Sequence, residues 1–145
     1  MIYDCFSYWD EDLLLDLRLN ILDKYVDFFV IVEGNKTWQN NPKNLRFDIN
    51  RFSKFKEKII YVPVTNMPSG INPYLRENFQ RNSIMRGLEQ CKDDDFIIIS
   101  DLDEIPNPDQ LKKFNKKMRY AVFKQSHFYY KFNLQSENEP FWFGS

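Results

Sequence analysis

The run Asp94-Asp95-Phe96-Ile97-Ile98-Ile99-Ser100-Asp101-Leu102-Asp103-Glu104-Ile105-Pro106 constrains this chain more than any other stretch. Four consecutive apolar residues, three of them β-branched, predict a short strand over 96–99, buried on both faces. The strand runs into Asp101, Asp103 and Glu104, and Pro106 stops it. In an open α/β sheet, ligands bind outside the carboxyl ends of the strands. Packing gives no reason to gather carboxylates there, whereas a hard cation with oxygen ligands does. Asp101 and Asp103, two apart on extended backbone, project to one side and can share an ion. The expectation is a divalent metal site that holds a phosphate-bearing substrate. Turn chemistry competes for part of the pattern: Asn107-Pro108-Asp109 reads as a helix start, so Glu104 can belong to the loop before it.

Around this run the chain alternates strand and helix. A strand is expected over 2–6, then the cluster Ser7-Tyr8-Trp9, with Asp10 capping a helix over 11–24. Leu14, Leu15, Leu17, Leu19, Ile21 and Leu22 make the apolar side of that helix, and Asp12, Asp16, Arg18 and Asp23 fall on the polar side. A mostly apolar, hence central, strand follows over 26–33 and ends on Glu33, so the motif of an apolar strand with an acidic end recurs. The polar loop 35–44 carries Trp38, which is either a cover for the core or a platform for a sugar or base. An amphipathic helix over 45–58 and a strand over 59–64 come next, and Pro68, Gly70 and Pro73 mark 65–73 as a loop.

The clearest helix spans 74–91, with Leu75, Phe79, Ile84, Met85 and Leu88 on its apolar side. Its polar groups include Arg76, Arg81 and Arg86, whose guanidinium forks can grip a diphosphate or simply make salt bridges at the surface. The Asp93-Asp94-Asp95 turn lies at the entry end of the acidic strand, away from the expected site. After that strand, 108–117 reads as a short basic helix, and 119–123 and 126–132 as two strands. His127, the only histidine, reads as a packed or surface ring rather than a ligand.

With 145 residues the chain reads as one domain, 1–145, with enough length to bury a core. A net charge of −1 gives no electrostatic footprint for nucleic acid or an anionic membrane. An aromatic share of 17% suits a sugar- or base-stacking surface as well as a core. Cys5 and Cys91 lack metal-ligand spacing and read as free thiols in a reducing compartment. Tyr3 and Asp4 break the first apolar run too early for a signal peptide, and no stretch is long and apolar enough for a membrane span. The expected location is therefore cytoplasmic. The final Phe141-Trp142-Phe143-Gly144-Ser145 would expose apolar surface, so the domain reads as C-terminally incomplete.

The element order predicts a Rossmann-like α/β sandwich with a mostly parallel central sheet. Neither Gly-x-Gly-x-x-Gly nor Gly-x-x-x-x-Gly-Lys-Ser/Thr is present, which argues against a dinucleotide-binding dehydrogenase and a phosphate-loop nucleotidase. Several stretches run in one order along nearly the whole chain. They are Tyr3-Asp4-Cys5-Phe6, Phe29-Val30-Ile31-Val32-Glu33 with Asn35-Lys36-Thr37, Arg76-Glu77-Asn78-Phe79-Gln80-Arg81-Asn82 with Met85-Arg86-Gly87, and Ile98 to Pro106. In these the chain resembles glycosyltransferase family 17, the bisecting N-acetylglucosaminyltransferases, with a GT-A type fold.

The resemblance implies a nucleotide-sugar donor, a uridine diphosphate sugar, bound with Mn²⁺ or Mg²⁺, and a carbohydrate or other hydroxyl acceptor. It implies that Glu33 contacts the nucleobase, that Asp101 and Asp103 hold ribose and metal, and that Arg81 and Asn82 lie near the donor. Glu137 and Glu139 are available as a general base, though nothing in the sequence selects either. It also implies that family members continue past the region matching Trp142 to Gly144, which would leave the acceptor side incomplete here. Two other functions compete. A haloacid dehalogenase-like phosphatase also ends a strand in Asp-x-Asp, but wants Thr or Val where this chain has Ile105. A non-catalytic nucleotide-sugar or glycan-binding module would bind donor without hydrolysing or transferring it.

Overall fold

The computed structural model describes residues 1–114, 117, 119–128 and 134–143. Four strands, β1 (Ile2–Ser7), β2 (Phe28–Gly34), β3 (Ile59–Val64) and β4 (Phe96–Ile99), form one sheet in the order β3-β2-β1-β4. Every neighbouring pair is parallel, with Cys5 opposite both Val30 and Ile99, and Val30 opposite Ile60. All four carboxyl ends therefore lie along one edge. The strand order reverses direction between β1 and β4, and such a switch point opens a crevice at the carboxyl edge. The expected Rossmann-like arrangement forms.

The two-residue period of the strands sorts the core into two layers. Phe6, Phe29, Ile31 and Ile98 face α1 (Asp12–Leu22), which packs on them through Leu15, Leu19 and Leu22. A 3₁₀ helix (Ile49–Lys58) covers the same face with Phe52 and Phe55. Tyr3, Cys5, Val30, Val32, Val62 and Val64 face the other way, toward α2 (Pro73–Asn82) and the 3₁₀ turn Ser83–Gly87, where Ile84 is buried. Each fully buried aliphatic side chain contributes about 2 kcal/mol of transfer free energy. A short α3 (Pro108–Leu111) follows the acidic turn, and β5 (Lys124–Ser126) pairs antiparallel with β6 (Phe141–Phe143).

Several sequence expectations need correction. β4 is not buried on both faces: Ile98 is in the core, but Ile97 and Ile99 are 45% and 43% exposed. β4 is an edge strand, and the α2 layer packs on β1, β2 and β3. α1 takes Glu11, not Asp10, as its N-cap residue, and Asp10 instead pairs with Arg46 at 2.6 Å. A helix presents one stripe to a sheet, and here it is Leu15, Arg18, Leu19 and Leu22; Leu17 and Ile21 turn outward, and Arg18 turns in. The expected helix over 45–58 starts only at Ile49, after Asp48 accepts a bond from the Asn50 amide, and its backbone breaks from helical geometry at Phe52.

The expected helix over 74–91 is α-helical only to Asn82. Asn72 caps its start, and Leu75 and Met85 are exposed while Arg76 and Gln80 are buried. The segment 119–123 joins no strand ladder, and the following strand is the short β5. Residues 115 and 116 of the expected basic helix and 129–132 of the expected last strand lie outside the described residues.

Candidate functional site

Beyond β4 the chain closes a tight turn at the switch point. The Glu104 amide donates to the Asp101 carbonyl at 3.0 Å, and the Asp101 amide donates to Glu104 Oε2 at 3.0 Å. Leu102 is buried in the α1-side core, which leaves the flanking Asp101 and Asp103 side chains at the surface. From the last turn of α2, Arg81 Nη2 donates to Asp101 Oδ1 at 2.9 Å and lies 3.7 Å from Glu77 Oε1. Burial pushes the Asp101 carboxyl above its ordinary value; Arg81 opposes that shift, and Glu104, Asp103 and Glu77 add to it. A partly desolvated carboxylate with like charges around it gains from a nearby cation. Asn82 is exposed at the same helix end. The fold thus brings Arg81 onto the acidic turn.

Glu33 is placed differently. It is fully buried, and its Oε1 accepts from the Arg46 amide at 2.8 Å and from Lys43 Nζ. Its Oε2 accepts from the Phe47 amide at 3.0 Å and the Tyr61 hydroxyl at 2.9 Å. A carboxylate has about four lone-pair sites, so none is left here for a nucleobase. Burial, and then the hydrogen bond to Glu33, push the Tyr61 hydroxyl well above its ordinary value. Glu33 ties the segment 43–47 to the sheet edge.

Of the three arginines on the expected long helix, only Arg81 reaches the acidic turn. Arg76 is buried and donates to the Gly70 carbonyl at 2.6 Å and to the Trp38 carbonyl, so it fastens two loops together. Arg86 lies over the Phe79 ring and 3.4 Å from Asn66 Oδ1. His127 is a partly buried ring, 3.1 Å from the Glu139 carbonyl and beside Trp142. Glu137 and Glu139 are exposed.

Sequence reasoning missed Arg18 and Asp4. Both are fully buried and paired in two places, Nε to Oδ2 at 2.9 Å and Nη2 to Oδ1 at 2.7 Å. A carboxylate in the middle of a buried strand, Tyr3-Asp4-Cys5-Phe6, was the available signal, because such a charge needs a buried partner. For Glu104 the sequence left strand-end chemistry and loop chemistry both open; in the structure its Oε2 accepts from the Asp101 amide and its Oε1 from the Trp142 indole, which anchors the β5–β6 hairpin beside the acidic turn.

Among the described residues, no group of three or more His, Cys, Asp or Glu side chains is placed to hold a metal ion. Two surface carboxylates on a braced turn suit a different kind of ion, one that keeps waters and takes its remaining oxygens from a phosphate. A cavity of about 870 Å³ runs along the open side of β4, past Ile97, Ile99 and Phe123, and includes neither Asp101 nor Asp103.

The sequence matches glycosyltransferase family 17 over residues 1–142. Over 107 residues it is 34% identical to the beta-1,4-mannosyl-glycoprotein 4-beta-N-acetylglucosaminyltransferases of Homo sapiens and Rattus norvegicus, and 33% identical to that of Mus musculus. Each alignment covers 66% of this chain and 20% of the relative, so the match spans about a fifth of those proteins. No solved structure matches the chain.

Proposed function

The chain belongs to glycosyltransferase family 17, and from that premise we propose that it binds the nucleotide-sugar donor of a metal-dependent N-acetylglucosaminyl transfer. The observation that carries this reading is the surface pair Asp101 and Asp103 at the switch point of a parallel sheet, with Arg81 beside it. The donor is a uridine diphosphate sugar, and the acceptor is a hydroxyl of a glycan. Mn²⁺ or Mg²⁺ fits the two carboxylates and, when bound, neutralises charge on the diphosphate leaving group. Asp103, farther beyond the strand, is the principal metal ligand, and Asp101 is shared between metal and ribose. Arg81 offers the phosphates a planar fork once the donor competes with Asp101 for it. Asn82, exposed at the same helix end, supplies a neutral polar contact. The family assignment displaces the phosphatase reading.

Titration calorimetry with uridine diphosphate N-acetylglucosamine tests this, with and without Mn²⁺. Binding is expected only with metal, and equal affinity in both conditions would refute it. Asp103→Asn keeps the shape and removes the charge; it should abolish metal-dependent binding in a folded protein, and Asp101→Asn should weaken it less. Unchanged metal dependence in Asp103→Asn would remove that residue from the site. Separate assays of donor hydrolysis and transfer then distinguish an enzyme from a module that only binds.

A further inference from the structure

Arg18 makes contacts out of proportion to a place in a helix stripe. Besides its two bonds to Asp4, its Nη1 donates to the carbonyls of Asp101 at 2.7 Å and Leu102 at 3.1 Å and lies 3.4 Å from that of Glu104. Its Nη2 also donates to Ser100 Oγ at 2.6 Å, and Ser100 Oγ in turn donates to the Glu104 carbonyl at 3.3 Å. The guanidinium carbon sits 4.6 Å from the centroid of the Phe6 ring. One planar group with five N–H donors is thus locked between β1 and the acidic turn. Apart from Asp4, every acceptor it reaches belongs to residues 100–104.

We infer that Arg18, oriented by Asp4, is a positioning residue for the donor site: it fixes the backbone of residues 100–104 so that Asp101 and Asp103 present their carboxylates outward. The inference rests on the donor-binding role proposed above. Three turn carbonyls drawn toward one buried cation leave the side chains of the alternating acidic residues on the opposite, solvent side. Asp4 balances the charge of Arg18, so Arg18 itself does not neutralise the outward carboxylates. The Asp4–Arg18 ion pair by itself is replaceable by apolar side chains of similar volume; what such a replacement cannot supply is the donor set that the turn carbonyls use. Supporting groups behind metal ligands, by contrast, set ligand geometry and affinity.

The test uses the whole chain and three variants: Asp4→Leu/Arg18→Met, which removes both charges together, Arg18→Lys, which keeps the charge and loses the fork, and Ser100→Ala. Mn²⁺-dependent binding of uridine diphosphate is measured by calorimetry, melting by calorimetric scan, and turn order by hydrogen exchange at the amides of Asp101 and Glu104. The double variant is expected to remain folded but melt below the wild type, since the turn carbonyls lose their donor, to bind about tenfold or more weakly and to exchange those two amides about tenfold faster. Amides of β2 should be unaffected. Arg18→Lys should not rescue either readout, and Ser100→Ala should move both in the same direction by less. A folded double variant with wild-type affinity and protection overturns the inference. So does a double variant that fails to fold while Arg18→Lys and Ser100→Ala leave both readouts unchanged. If the wild type itself binds no uridine diphosphate with Mn²⁺, the proposed function fails, and exchange in the turn alone judges Arg18: unchanged protection refutes its hold on the turn, and loss of protection upholds it.

Discussion

Lys43 Nζ, the Arg46 and Phe47 amides and the Tyr61 hydroxyl all converge on the one buried carboxylate of Glu33. In Glu33→Gln an amide NH₂ faces some of these donors, and both sides lose partners. The expected cost is about 2–4 kcal/mol, read by urea unfolding at neutral pH; a variant as stable as the wild type would show that the segment is held by other contacts. Cysteines give a second prediction at this scale. Cys5 is fully buried, and burial pushes its thiol far above its ordinary value; Cys91 is half-buried, with its thiol raised by the same cause. The thiolate is the reactive form, so iodoacetamide should label Cys91 well before Cys5 in the native protein. A thiol raised in the folded state contributes stability that is complete below its unfolded value, near 9.0, and lost as the pH rises above it. Unfolding free energy should therefore decline through the alkaline range, and a flat profile there would count against both burial assignments.

At the scale of elements, the segment after α2 shows how packing overrides periodicity. Its apolar residues recur at helical spacing to Leu88, yet the chain tightens into a 3₁₀ turn at Ser83–Gly87. Gly87 explains the approach: a Cβ there would stand 2.4 Å from Val30 Cγ1 and 3.2 Å from Val62 Cγ2. The turn lies directly on β2 and β3 because that position has no side chain. Gly87→Ala should cost about 1–3 kcal/mol through overpacking, measured by thermal or urea unfolding, and a neutral effect would mean that the layer can shift outward. Of the caps, the sequence reading found only the helix start at Asn107, and it placed the first one at Asp10 rather than Glu11. Asp48, Asn72 and Asn107 each accept a backbone amide bond two residues on, a local interaction that residue type and spacing already contain.

For the whole molecule, the contact between the Trp142 indole and Glu104 links the β5–β6 hairpin to the acidic turn. Trp142→Phe removes the N–H and keeps much of the ring. Limited proteolysis should then cut the segment 119–128 faster, while the cooperative unfolding of the parallel sheet stays unchanged. Equal cleavage rates in the two proteins would show that the hairpin is held independently of the turn.

The succession of strands and helices, the mostly parallel sheet it implies and the acidic end of β4 were legible because they rest on short-range periodicity and on residue type at a strand end. So was the nearness of the helix carrying Arg81 to the acidic strand, since that helix immediately precedes it in the chain. The fate of individual charges was not legible. Arg18 and Asp4 are 14 positions apart, and Arg18 and Ser100 are 82 apart, so the partners that make burial of this arginine tolerable meet only in the folded chain. Glu33 reads from sequence like Asp101, an acid at the end of an apolar strand. The fold separates them: Glu33 ends an internal strand under the 43–47 segment, whereas Asp101 follows an edge strand at the switch point, where its carboxylate is at the surface and pairs with Arg81. Which acid is locked into the fold and which stays at the surface is a question of neighbours in space, and only tertiary structure supplies them.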